Sequence, residues 1–186
     1  MPSQIFRAKP LIAAVAAALI LSARSAAQVQ CLRASTSWKN AAFAQQTAAF
    51  SVNFDATPAS ARIDGLTGLS LNAATGFTSL AAIVRFNNTG FIDARNGSLY
   101  AADAAIPYTA GATYRLRMAV DPAARRYSVY VTPPGVPEKT LATNYAFRSE
   151  QAATSSLNNF AVFSDLGSHQ VCGFALSGAP APPPPL

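Results

Sequence analysis

The chain has one histidine, one tryptophan, two cysteines and eight acidic residues among 186 positions, and each scarcity removes a class of function. Two cysteines are too few for a disulfide-rich miniprotein, and with a single histidine they leave zinc without a ligand set. Charged residues make up 12% of the chain, too few for a disordered polyelectrolyte or a coiled coil. No Gly-x-Ser-x-Gly nucleophile motif occurs, and no Asp-x-Asp-x-Asp run offers a calcium loop. Alanine, by contrast, fills 40 positions, so the 51% apolar content overstates the burial available and points to one core in one domain.

The N-terminal stretch, residues 1–27, reads as a secretory signal. Arg7 and Lys9 form a positive head, Leu11 to Leu21 is an uninterrupted apolar run, and Ser25, Ala26 and Ala27 offer small residues for cleavage. Eleven apolar residues are too short for a transmembrane helix, which needs about 20. The expected product is a secreted or periplasmic protein with no membrane attachment after cleavage. Loss of Arg7, Lys9 and Arg24 leaves eleven basic against eight acidic groups, a formal +3. That excess is small and scattered, which argues against a nucleic-acid partner.

Export also bears on the cysteines. Cys31 and Cys172 stand near opposite ends of the mature chain, and an oxidising compartment favours their pairing. A bridge between them would close a loop of about 142 residues, worth on the order of 5 kcal/mol in the chain-entropy model. It would also make the first and last strands neighbours. Residues 178–186 are rich in proline and are expected to be an extended polyproline tail, set apart from a domain at 28–177.

Within that domain the apolar pattern has period two, with runs bounded by Gly, Pro, Asn or Asp. Phe50, Val52 and Phe54 alternate with Ser51 and Asn53. Ala82, Val84 and Phe86 share one face, and Ala81, Ile83 and Arg85 the other. A short hairpin is expected around Asn96-Gly97, which supplies the positive φ of a tight turn. In a longer one, Tyr114, Leu116, Met118 and Val120 share a face against Arg115 and Arg117, and Tyr127, Val129 and Val131 return after a turn at 121–125. Phe160 to Phe163 and Gln170 to Leu176 close the set. The alanine-rich stretches Trp38 to Ala49 and Glu150 to Leu157 are helix-compatible. About nine strands spaced in this way imply an antiparallel sandwich.

The segments YRLRMAVD (114–121) and RYSVYV (126–131) resemble the central hairpin of laminin-G-like domains in the concanavalin A-like lectin/glucanase superfamily. The stretch VRFNNTGFIDARNG (84–97) is similar to what precedes that hairpin in secreted bacterial members. The resemblance covers roughly residues 45 to 176. It implies an all-β, two-sheet antiparallel jelly-roll sandwich with terminal strands adjacent, and a function in glycan recognition or cleavage.

Glycoside hydrolases of that superfamily carry paired carboxylates on one strand. Here the only glutamates are Glu138 and Glu150, neither of them so paired, which makes hydrolysis improbable. A polysaccharide lyase needs less: a proton carrier and a cation to neutralise a uronate, for which His169, Tyr130 and Arg148 are the candidates. Asp64, Asp93, Asp103 and Asp121 lie near turns and leave room for a structural calcium. The favoured expectation is a monomeric, non-catalytic carbohydrate-binding or adhesive module for an extracellular glycan. Its binding residues would be Arg85, Arg95, Arg115, Arg117 and Tyr130, with Tyr100 and Tyr108 as further aromatics. Arginines sharing the concave sheet would select an anionic glycan. A structural extracellular domain without ligand is the remaining alternative.

Overall fold

A computed structural model describes residues 31–178. The signal segment and nearly all of the proline-rich tail lie outside the described residues. Twelve strands form two six-stranded antiparallel sheets. They are β1 (Leu32–Arg33), β2 (Lys39–Gln46), β3 (Phe50–Pro58), β4 (Asp64–Ser70), β5 (Leu80–Phe86) and β6 (Phe91–Asn96), then β7 (Leu99–Pro107), β8 (Tyr114–Asp121), β9 (Arg126–Thr132), β10 (Lys139–Ala146), β11 (Leu157–Leu166) and β12 (His169–Ser177). The first sheet has the order β1-β12-β3-β8-β9-β10 and the second β2-β11-β4-β5-β6-β7. Neighbours in sequence therefore often lie in opposite sheets, as a jelly roll requires.

The alternating runs form the core. Phe50, Val52, Phe54 and Ala56 of β3, Tyr114, Leu116, Met118 and Val120 of β8, and Tyr127, Val129 and Val131 of β9 are buried against Val84, Phe86, Ile92 and Phe160 of the second sheet. The second sheet also carries a smaller apolar cluster on its outer face, where Leu66, Ile83 and Ala161 are covered by Trp38, Tyr100 and Phe163. Two loops fold over this face, each containing a single 3-10 turn, Phe77–Ser79 and Ser149–Gln151. Gln151 Nε2 donates to the Thr78 carbonyl at 2.6 Å and ties them together.

The chain ends meet. Leu32 and Arg33 pair with Val171 and Gln170, and Cys31 is joined to Cys172 across 141 positions. Just beyond the bridge β12 bulges between Cys172 and Ala175, where Gly173 takes a φ of 66° that a side chain would strain.

Two expectations from sequence are overturned. The stretch from Trp38 contains no helix: Lys39–Gln46 is an edge strand paired with β11, because ladder bonds and the packing of Phe43 on Phe50 and Phe174 outweigh the weak helical preference of its alanines. Residues 150–157 likewise hold one 3-10 turn and then enter β11. The count rises from about nine strands to twelve, since β1, β2 and β10 show no clear alternation of their own.

Candidate functional site

The proposed arginines do not share a sheet. Arg85 and Arg95 project from β5 and β6 of the second sheet, Arg115 and Arg117 from β8 of the first. Both pairs face outward, on opposite sides of the molecule, so the condition for an anionic glycan, arginines sharing one concave sheet, is not met. The cause is topological: β6 and β8 are separated by one strand in sequence but belong to different layers.

On the first sheet, Arg117 stacks over Tyr130 at 3.8 Å and is gripped by Glu138 at 2.6 and 3.2 Å. These bonds hold its guanidinium above its usual pKa despite partial burial. Arg115 reaches Asp55 at 3.3 Å and is largely exposed. A cavity of about 250 Å³ opens further along the same hairpin, lined by Ala119, Asp121, Arg126, Ser128 and Asn144, and neither Arg115 nor Arg117 lines it. This face is polar and ion-paired.

The second sheet is different. Arg85 stands opposite Asp93 on β6 and Leu66 on β4. Its Nε and Nη2 donate to the two oxygens of Asp93 at 2.9 and 2.8 Å, and Nη1 to Asp64 at 3.4 Å. Burial pulls the Arg85 pKa down, but the bonds and charge of Asp93 outweigh it and hold the group above its usual value. Tyr100, across from Arg95 on β7, lies under both guanidinium groups, 3.7 Å from that of Arg85 and 5.0 Å from that of Arg95. Burial raises the Tyr100 pKa, with the two arginines acting against it, so the phenol is neutral near pH 7.

A cavity of about 300 Å³ opens on this face, lined by Asp64, Leu66, Phe77, Arg85, Tyr100, Arg148 and Asp165. Arg148 is anchored by its own N–H on the Ala81 carbonyl at 2.8 Å, and its Nη2 donates to Glu150 at 3.0 Å. Phe77 caps an aromatic cluster, edge-on to Trp38 and Phe163, which stack on each other at 4.8 Å. Chemically the cavity offers two aromatic walls, two guanidinium groups held by carboxylates, and the Asp64 and Asp165 carboxylates as acceptors.

The lyase trio is dispersed. His169 opens β12 but points into the core, 1% exposed, with Nε2 3.1 Å from Thr67 Oγ1 and Nδ1 without a partner. Burial lowers its pKa to about 4. Tyr130 sits on the outer face of the first sheet and Arg148 on that of the second, so the three residues form no common site. Tyr108 is structural, its hydroxyl taking the Ile63 N–H at 2.9 Å and donating to the Asn87 carbonyl at 2.7 Å.

The four turn aspartates do not converge either. Asp64 and Asp93 hold Arg85, Asp103 accepts from the Tyr145 hydroxyl at 2.8 Å, and Asp121 accepts from the Ala124 N–H at 3.0 Å. No group of three His, Cys, Asp or Glu side chains that could share a metal ion occurs among the described residues, and each of these four carboxylates already accepts from a protein donor. Asn87, which heads a glycosylation sequon, uses its amide on Asp93 and its carbonyl oxygen on Thr89 and Phe91.

Sequence reasoning picked out Arg85, Arg95 and Tyr100 but missed Asp64, Asp165 and Phe77 as partners in one cavity. Asp64 and Asp165 come from β4 and β11, about 100 positions apart, and no local motif links them. An aromatic after Gly76 in a loop was the one available signal.

No protein-family model matches the chain. A gellan lyase from Bacillus sp is 28% identical over 123 residues, a stretch that takes in 64% of this chain but 5% of that relative. Among solved structures, the lectin UEA-II complexed with galactose superposes with a TM-score of 0.54 at 11% identity, over 82% of this chain and 84% of the lectin. The metal-free lectin I-B4 of Griffonia simplicifolia gives 0.52 at 12% identity, over 75% and 80%. With the observed strand order, these likenesses establish the architecture as a concanavalin A-like jelly-roll sandwich.

Proposed function

We propose that this chain is a secreted, non-catalytic carbohydrate-binding module whose glycan lies on the outer face of the second sheet. The observation that carries the reading is the cavity in which Phe77 and Tyr100 flank Arg85, Arg148, Asp64 and Asp165. Sugar rings present apolar faces to aromatic planes and hydroxyls to paired donors and acceptors, and sites of this kind need few but fixed polar groups. The lectin-like architecture supports the reading by analogy of fold, and the Cys31–Cys172 bridge suits an oxidising, extracellular location. Among the described residues no helix is long and apolar enough to cross a membrane.

The ion pairing moves the ligand class away from the anionic glycans expected at first. Arg85 and Arg148, the two cations in the cavity, are already bound to carboxylates. Arg95, the third guanidinium beside Tyr100, donates to the Gly97 carbonyl rather than to a carboxylate. Asp64, Asp93, Asp165 and Glu150 nevertheless outnumber the three arginines around the cavity, so it presents no net positive charge to attract a polyanion.

The test is retention on a panel of immobilised neutral and uronate polysaccharides by affinity electrophoresis. Retention on a neutral glycan that falls at least tenfold in Tyr100→Ala supports the reading, and failure to bind any glycan overturns it. The likeness to a gellan lyase favours a second reading, glycan cleavage by β-elimination. Following the absorbance of unsaturated products in the same incubations decides it, since a binding module forms none.

A further inference from the structure

Beside the Arg85–Asp93 pair, on the side away from the cavity already described, lies a second cavity of about 330 Å³. It is lined by Asn87, Thr89, Phe91, Ile92, Asp93, Ala102 and Ala105. The two hollows share the ion pair as a common wall: Arg85 faces one and Asp93 the other, joined by bonds of 2.8 and 2.9 Å. Each holds an exposed phenylalanine, Phe77 in the first at 41% and Phe91 in the second at 42%.

We propose that the second cavity is a further sugar subsite, so that the module binds an internal stretch of an uncharged polysaccharide laid across β4 to β7, rather than a single terminal sugar. The inference rests on the carbohydrate-binding reading above. Three observations carry it. Each hollow alone lies at the lower limit of ligand pockets, about 300 Å³, while the two together accommodate several sugar units. The Asp93 carboxylate accepts two bonds from Arg85 and one from Asn87, which leaves lone-pair capacity for a hydroxyl donor. The second cavity also contains no cation and one carboxylate, which admits a neutral chain and repels a uronate. Ala102 and Ala105 keep the β7 end of the hollow open, since larger side chains there would fill it.

The experiment uses the neutral polysaccharide retained in the panel, cut to oligomers of one to six units, with calorimetric titration of the full chain. Affinity is expected to rise at least tenfold between dimer and tetramer. In Phe91→Ala that ratio should fall by about tenfold, whereas Val136→Ala, a similarly exposed apolar residue of the 133–137 loop, should leave it unchanged. Phe77→Ala should weaken oligomers of every length. Equal affinity for dimer and hexamer, or a full length dependence in Phe91→Ala, overturns the second subsite while leaving the binding reading intact. Absence of binding to any polysaccharide overturns both. Because the Phe91 ring is exposed, its truncation should not unfold the domain, and an unchanged melting temperature verifies this.

Discussion

The hydroxyl of Tyr127, on β9 of the first sheet, crosses the core to the peptide of Ile83, on β5 of the second. It donates to the Ile83 carbonyl at 2.9 Å, takes the Ile83 N–H at 3.3 Å and also touches the Arg95 carbonyl on β6. A phenol thus occupies a gap in the ladder between two strands of the opposite layer. Burial pushes its pKa well above the usual value, so it remains a neutral donor.

Tyr127→Phe would leave the buried Ile83 groups without their partner, at a cost of about 1–3 kcal/mol. Chemical denaturation should show that loss. Arg85 and Arg95 extend from the same two strands, so glycan affinity should fall as well. An unchanged midpoint would mean that water replaces the hydroxyl.

His169 predicts acid sensitivity. Its folded pKa, about 4, lies below the ordinary 6.5, so between those values the unfolded chain binds the extra proton. Stability is complete above about pH 6.5 and declines as pH falls, by up to about 3 kcal/mol near pH 4. Urea titrations at pH 7 and pH 4.5 should reveal this slope, and His169→Gln should flatten it whatever its own baseline. A wild-type slope that survives the substitution would assign the effect to other groups.

Reduction of the bridge between Cys31 and Cys172 should cost up to about 5 kcal/mol, because it frees a closed loop spanning 141 positions. Melting with and without a reductant measures this directly. The candidate site, on the other sheet, should bind with unchanged affinity as long as the domain stays folded.

Chelation should have no effect. Asp64, Asp93, Asp103 and Asp121 are each held by a protein donor, so excess EDTA is expected to leave both the melting temperature and glycan retention as they were. A drop of several degrees would show that a bound cation stabilises the fold.

The legible part of this fold was the part in which chemistry alternates along the chain. Tyr114 to Val131 announces a hairpin because inward and outward residues take turns, and two distant cysteines bring the chain ends together. β2 was hidden because Ala41, Ala42 and Ala44 carry no contrast between faces, so only pairing with β11 makes them a strand. The site was half legible. Arg85 and Tyr100 could be named, but their bonding to Asp93, Asp64 and Arg95 depends on which strands become neighbours across the sheet. His169 carried a chemically suggestive identity into a dry position, where Gly65 leaves just enough space for the ring: a Cβ there would come within 2.5 Å of Nδ1.

The small cluster on the outer face of the second sheet has one more consequence. β5 is an interior strand covered on both sides, by the main core and by Trp38, Tyr100 and Phe163. Its amides should be among the slowest in the domain to exchange with deuterium. Arg85 therefore projects from a floor whose backbone is ordered before any ligand arrives. Binding there need not be accompanied by a loss of backbone freedom, and modest contacts can suffice for a preorganised surface.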